Sequence, residues 1–456
     1  MSANDDRTAE QAERITIAAA AGRPITAGPA AGPLTTTVPT ENGPTKRVTK
    51  GFILWLVLLN FGSAMAFIVP LSYSLALRIQ ELAPGHEEIL GYATGIAQTV
   101  FIITSPLIGI WSDRTRSRLG RRKPFIIGGI LVGLVGLAVI GLSPSIPMMI
   151  VGWTVAMLGW ANVGSTVLFI QADQLPDEQR GKVSALTGVA AQVAAIVGIG
   201  LVSAVVDVSQ FLVFMLPGIV GAILALFFVL FGKDADSRFL DLPSDRISLK
   251  RVFGAFVFNP RKYPDFGWNW LGRFIFFVGL YFNTAFGTFF YSQRLGLPVS
   301  EIAGLVAIIG LLGIVAAIVG AIGGGWLSDK LGRRKLFVAI GAGLFAVGAI
   351  IEATAYAMPN LIVGAVLMNL ALAAFGAVDQ AIVMAILPDR SEAGRYMAVV
   401  QFAQKIPSAF APILAAAVIT IGAAEGVKNY TLLYLLGGAF ALVGAALIIF
   451  KVKSVR

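Results

Sequence analysis

Twelve apolar stretches, each long enough to cross a bilayer as a helix, leave this chain few alternatives for its fold. They fall at about 51–77, 88–111, 124–142, 147–170, 182–205 and 210–231, then at about 267–291, 299–327, 336–356, 360–387, 396–421 and 429–450. At 1.5 Å rise per residue, roughly 20 residues cover the hydrocarbon core. No water is available there, so every backbone N–H and C=O must be paired within the chain, and only helices or closed barrels can span. Barrel strands alternate polar and apolar residues over about 10 positions, and these runs do not alternate. The balance of residues agrees, with 57% hydrophobic and 13% charged, against about 25% charged in soluble domains. The expected fold is all-α, with 12 transmembrane helices in a lipid bilayer.

The charges lie between those stretches. Six of the twelve residues in SDRTRSRLGRRK, Ser112 to Lys123, are Arg or Lys, and a shorter version, SDKLGRRK, recurs from Ser328 to Lys335. A net charge of +10 is compatible with nucleic acid, but cations confined to short loops between apolar runs are the mark of membrane orientation. No nucleic-acid partner is expected. With the N-terminus inside, the cytoplasmic loops take nearly all the Lys and Arg, and the external loops keep only Arg78, Arg294 and Lys428. Both termini are therefore expected on the cytoplasmic side of a plasma (inner) membrane.

The repeat is regular. Leu119 to Lys123 matches Leu331 to Lys335 at 331 − 119 = 212, and Leu175-Pro176-Asp177 matches Leu387-Pro388-Asp389 at 387 − 175 = 212. Six stretches separate the equivalent loops, so the halves share orientation as parallel six-helix repeats. The expected division is a six-helix half at 48–231, a charged cytoplasmic linker at 232–265 and a second half at 266–456. Residues 1–47, rich in Ala, Gly, Pro and Thr without an apolar period, read as a disordered cytoplasmic tail. Parallel repeats rocking about a site at mid-membrane are a transporter architecture.

These motifs can be named. Gly109-x-x-Ser112-Asp113-Arg114, followed by Gly120-Arg121-Arg122, resembles the signature loop between helices two and three of the major facilitator superfamily. Ser328-Asp329-Lys330-x-Gly332-Arg333-Arg334 looks like its second-half copy, and Leu175-Pro176-Asp177 to Arg180-Gly181 resembles the loop between helices four and five. More narrowly, PLIGIWSDRTRSRLGRRKPFI, Pro106 to Ile126, is similar to the same loop in plant sucrose–proton symporters and their animal relatives. Those symporters carry an arginine within helix four, where this chain has Thr166-Val167-Leu168-Phe169. The lone histidine, His86, lies near where they also place one. The resemblance implies that Gly109, Asp113, Arg114, Gly120, Arg121 and Arg122 form a latch between the halves, broken when they rock. For Asp329, Gly332, Arg333 and Arg334 it implies a gating or a structural role. Topology alone is the competing account of the cations.

Ionisable groups inside spans are costly and mark function by default. Arg273, Asp379 and Lys405 lie at comparable depth from the cytoplasmic end, which suits one shared charge network responsive to protons. Glu352 is a few residues from the outer face, within expected reach of water. Helices one, four, seven and ten line the cavity in the superfamily this chain resembles. Candidates for a hydroxyl-rich solute are then Asn60, Trp160, Asn162, Tyr281, Asn283 and Gln380, with Gln192 in helix five; interhelical packing is the alternative for each amide. Trp55, Trp111, Trp268, Trp270 and Trp326 sit near cytoplasmic helix ends, where interfacial anchoring explains them.

The reading that gathers these features is a monomeric secondary transporter that moves a sugar or glycoside by proton symport. A drug or metabolite efflux antiporter of the same superfamily is the alternative, although helix five lacks the proline of the antiporter signature. A membrane enzyme or sensor is more remote. The chain has no cysteine, a single histidine, and no HExxH, GxSxG or P-loop pattern, so no catalysis, metal or cofactor is expected.

Overall fold

Helix ends follow local backbone chemistry, which apolar runs register only coarsely. A computed structural model describes residues 47–234, 236–239, 254, 258–389, 392–423 and 427–455. Residues 1–46 of the expected tail at 1–47, and just over half of the linker, lie outside the described residues. The first six spans are α1 (Lys50–Leu82), α2 (Ile89–Asp113), α3 (Lys123–Leu142), α4 (Ile146–Gln174), α5 (Asp177–Ser203) and α6 (Gln210–Phe231). The second six begin with α7, Pro264–Ala285 continued as Gly287–Leu295 across a 48° bend. They go on through α8 (Ala303–Leu331), α9 (Arg334–Thr354), α10 (Met358–Ala385), α11 (Ala393–Ile419) and α12 (Tyr430–Lys451). Among the described residues eleven helices are long and apolar enough to cross a membrane, and the bent pair makes 12.

Several helices overrun their apolar stretches. α5 starts at Asp177 rather than 182, because Pro176 at its N-cap sets the entry and the polar residues that follow continue the helix. α1 runs on to Leu82 through a widened π turn at Pro70–Ser74, where proline lacks the N–H that an unbroken ladder requires. The 212-residue offset carries Ser74 to Phe286, the residue at the bend of α7. The first helix of each half is thus broken at the same level.

Within each half the spans pack through small residues, as membrane helices do when backbones must approach closely. Gly62 of α1 lies against the Gly221 carbonyl of α6, and Gly279 of α7 against the Gly437 carbonyl of α12. The repeat is therefore one of packing as well as sequence. Trp111, Trp326 and Trp268 are exposed at the motif-loop end, as interfacial residues would be. Trp270 differs, since its indole N–H donates to the Val399 carbonyl at 2.9 Å and braces α7 on α11.

Candidate functional site

The basic loop is organised around one residue. Gly120 takes a left-handed conformation, φ +88°, which only glycine adopts at little cost, and so turns the chain back under α2. Arg122 then enters the protein and is 1% exposed. Its guanidinium reaches Asp113 at 2.6 Å, a charge contact rather than an aligned hydrogen bond. It donates to Asp173 and to the Ser112 hydroxyl, both at 2.9 Å, and lies 5.0 Å over the Phe169 ring. Arg121 pairs with the other Asp173 oxygen at 2.9 Å, and the Arg122 N–H donates to Asp234 at 2.9 Å. Gly109 packs on Phe169, and Arg114 caps the end of α2. Ser237 accepts from the Ser117 N–H and donates to the Thr115 carbonyl, fastening the start of the linker to the loop.

Sequence reasoning missed Asp173, Asp234 and Ser237. Asp173 carried a usable signal, because it lies two residues before the repeated Leu-Pro-Asp motif. Its equivalent at the 212-residue offset is Ala385. The second copy is accordingly loose: Arg334 stands 3.9 Å from a largely exposed Asp329 and donates to the Ala381 carbonyl at 3.0 Å. Gly332 makes the same left-handed turn, φ +61°, and Arg333 precedes α9.

The expected charge network forms only in part. Arg273 donates to Asp379, and Asn269 donates to its other oxygen at 3.2 Å, with all three residues buried. Lys405 does not join them; it is exposed at the middle of α11. Glu352 does not reach water either. It is fully buried and accepts from the Tyr291 hydroxyl at 3.0 Å, because α7 continues past its bend to cover it.

The neutral candidates divide similarly. Asn60 donates to the Thr187 carbonyl of α5 at 2.7 Å, and Asn162 to the Leu158 carbonyl of its own helix at 2.5 Å. Trp160 is 1% exposed and packed on Gly133, so its ring offers no face to a solute here. Asn283 is buried against Gly437 and Met368. Gln192 and Gln380 are exposed. Tyr281 is half-buried, with its hydroxyl beside Gln404 and Ser408 of α11.

Contacts that join the two halves gather at the end away from the motif loops. α2 packs on α11 where Gly91 and Gly95 meet Pro412 and Ala409, and Gly310 of α8 meets Ile196 of α5. The π turn leaves the Ser72 carbonyl to accept from Thr288 at 2.5 Å, and Tyr73 donates to the Ser300 carbonyl at 2.8 Å. Above them sits a charged clamp. Lys428 pairs with Glu88 at 2.8 Å and Glu87 at 3.7 Å, while Gln293 holds the Lys428 backbone by two hydrogen bonds of 2.9 Å. His86 Nδ1 lies 2.9 Å from the second Glu88 oxygen. Burial pushes the Glu88 carboxyl up, but the hydrogen bonds from Lys428 and His86 outweigh it and hold the group below the ordinary glutamate range. Toward the motif loops α5 is open: between 181 and 189 only Val183 and Thr187 are buried.

A family model described as Major Facilitator Superfamily matches residues 51–323 and 314–456 of this chain. Sucrose transport protein SUT4 of Oryza sativa subsp. indica is 32% identical over 84 residues, covering 18% of this chain and 13% of that protein. Proton-associated sugar transporter A of Mus musculus is 30% identical over 90 residues, 19% of this chain and 12% of that one. The match thus spans about an eighth of either relative's length. The crystal structure of the nucleoside transporter NupG superposes with a TM-score of 0.69 at 15% identity, covering 88% of this chain and 100% of that one. At that identity the likeness is one of fold.

Two outcomes follow from the site geometry. Arg122→Ala should lower unfolding stability by about 3–5 kcal/mol, because the largely buried Asp113 loses its paired cation and Asp173 keeps only Arg121, whereas Arg334→Ala should cost under about 1 kcal/mol. Thermal unfolding of the purified variants in detergent checks this, and equal losses would refute the asymmetry. The clamp should also be pH-dependent. A carboxyl held low in the folded state stabilises above its ordinary value, about 4.5 for Glu88, and that contribution disappears as pH falls through the folded value. The melting-temperature gap between the wild type and Lys428→Gln should be open at neutral pH and close in strong acid.

Proposed function

Since the chain belongs to the Major Facilitator Superfamily, we propose that it is a secondary transporter for a sugar or glycoside, driven by proton symport and working by alternating access. The observation that carries the transport reading is the one-ended seam. The halves are joined by Glu88–Lys428, Ser72–Thr288 and the α2–α11 crossing, while α5 is open on more than one side near the motif loops. With the basic loops placed in the cytoplasm, this is an inward-facing arrangement. Local similarity to two proteins named as sugar transporters supports the solute class.

In this reading the Arg122 cluster is the cytoplasmic latch, assembled on the amino-terminal half and available to engage the other when the inner side closes. Arg273 and Asp379 are the proposed coupling pair. A buried carboxylate beside an arginine is stable while paired, and rocking that separates the two makes proton binding favourable. Asn269 orients the second oxygen.

The orientation is tested in a chain that has no cysteine of its own. Pro84→Cys should react with an impermeant thiol reagent on intact cells, and the exposed Lys233→Cys only after permeabilisation. The reverse pattern would place the latch on the wrong side. For coupling, the wild type in proteoliposomes should accumulate labelled sugar under an inward proton gradient. Asp379→Asn should abolish accumulation yet keep counterflow of the same sugar. A folded Asp379→Asn variant that still accumulates would remove the coupling role, and parallel loss of stability and counterflow would make the pair structural.

A further inference from the structure

One face of α11 changes its surroundings halfway along the helix. Toward Ile419 it packs on α2, where Ala409, Pro412 and Ala416 meet Gly91 and Gly95. Toward Ala393 the same face carries Gln401 and Lys405, both exposed, since positions three and four apart recur on one side of a helix. Lys405 stands twelve residues from Ala393 and fourteen from Ile419, about 18 Å from the nearer end. It therefore lies at mid-membrane depth, on the side of its helix turned to the other half.

The surroundings are polar. Gln404 and Ser408, on the flank of α11 turned to α7, lie beside the Tyr281 hydroxyl. The register of the α2–α11 crossing, carried one turn toward the motif loops, brings the exposed Thr99 across from Lys405. Among the described residues no carboxylate pairs with this lysine, and Asp379 is already taken by Arg273 and Asn269. An ammonium facing lipid at this depth is too costly to expect. Facing the gap between the halves it can be hydrated, and the low-dielectric walls of such a gap concentrate anions at it.

We propose that Lys405 recognises an anionic group on the solute, the carboxylate of an acidic sugar, with Tyr281, Gln404, Ser408 and Thr99 placed for its hydroxyls. This rests on the transporter reading and narrows its solute. The physical reason is occlusion. When the halves close over the site, an unaccompanied ammonium loses its water with nothing in return, whereas a bound carboxylate replaces that water with a charge-assisted hydrogen bond. An anion thereby stabilises the closed state more than the open one, which is what a ligand must do to drive a conformational change. A neutral sugar leaves the charge uncompensated.

Binding to the purified protein tests the assignment, with glucuronate, galacturonate and gluconate compared with glucose and sucrose. The acids should raise the melting temperature of the wild type and of Lys405→Arg. Lys405→Gln should bind them about tenfold to a hundredfold more weakly, the loss expected for one charged hydrogen bond. Neutral sugars should bind more weakly than the acids to the wild type and be little affected by Lys405→Gln. Acid binding that survives in Lys405→Gln, neutral sugars that bind as tightly as acids, or no binding by any acid would each overturn the proposal. Counterflow of a neutral sugar in those cases would show that the transporter reading stands without it.

Discussion

Absence of water from the middle of the bilayer is the constraint on which the rest of this structure depends. It compels the backbone into helices and obliges each charge at depth to find a partner or an aqueous face. Arg273 and Asp379 satisfy it by pairing, and Glu352 by accepting from Tyr291. Lys405 makes no such pair among the described residues, and in the proposed reading an aqueous face serves it instead. It stands exposed on the face of α11 that packs on the other half one turn further along. In the proposed transporter this leaves a positive charge on the solute path.

The same constraint explains why a repeated sequence has not produced repeated chemistry. Both copies of the motif keep the left-handed glycine, the aspartate and the two arginines. Only the first has Asp173, which lies where the second has Ala385. Without that acid a buried arginine has too few partners, so Arg334 stays partly exposed and takes a carbonyl instead. One carboxylate decides whether the loop is a buried cluster or a surface turn.

Two ends of the molecule are built for different tasks. At the far end the breaks in α1 and α7 bring the halves together, freeing the Ser72 carbonyl for Thr288 and setting Gln293 to hold Lys428 against Glu88. At the motif-loop end the Arg122 cluster stays within the amino-terminal half and the start of the linker. A seam made of a few polar contacts and two glycine crossings can open without unpacking either half, because each half is held by its own close helix pairs.

Apolar length and the offset of 212 were enough to determine twelve spans and two parallel halves, because bilayer thickness and backbone pairing act on segments one at a time; the family resemblance rested on the loop motifs. The Arg273–Asp379 pair was half legible in the same way, from depth along each helix. Rotation about the helix axis was not. Depth alone grouped Lys405 with Asp379 and gave Glu352 a route to water, and helix number, through the resemblance, offered Trp160 and Asn283 to a solute; packing turned each of them elsewhere. Which side of a helix meets a neighbour, the lipid or the gap between halves depends on contacts between residues more than a hundred positions apart, such as Asn269 with Asp379 or Glu88 with Lys428. Only the tertiary structure decides those contacts, because close packing must be satisfied by all twelve helices together.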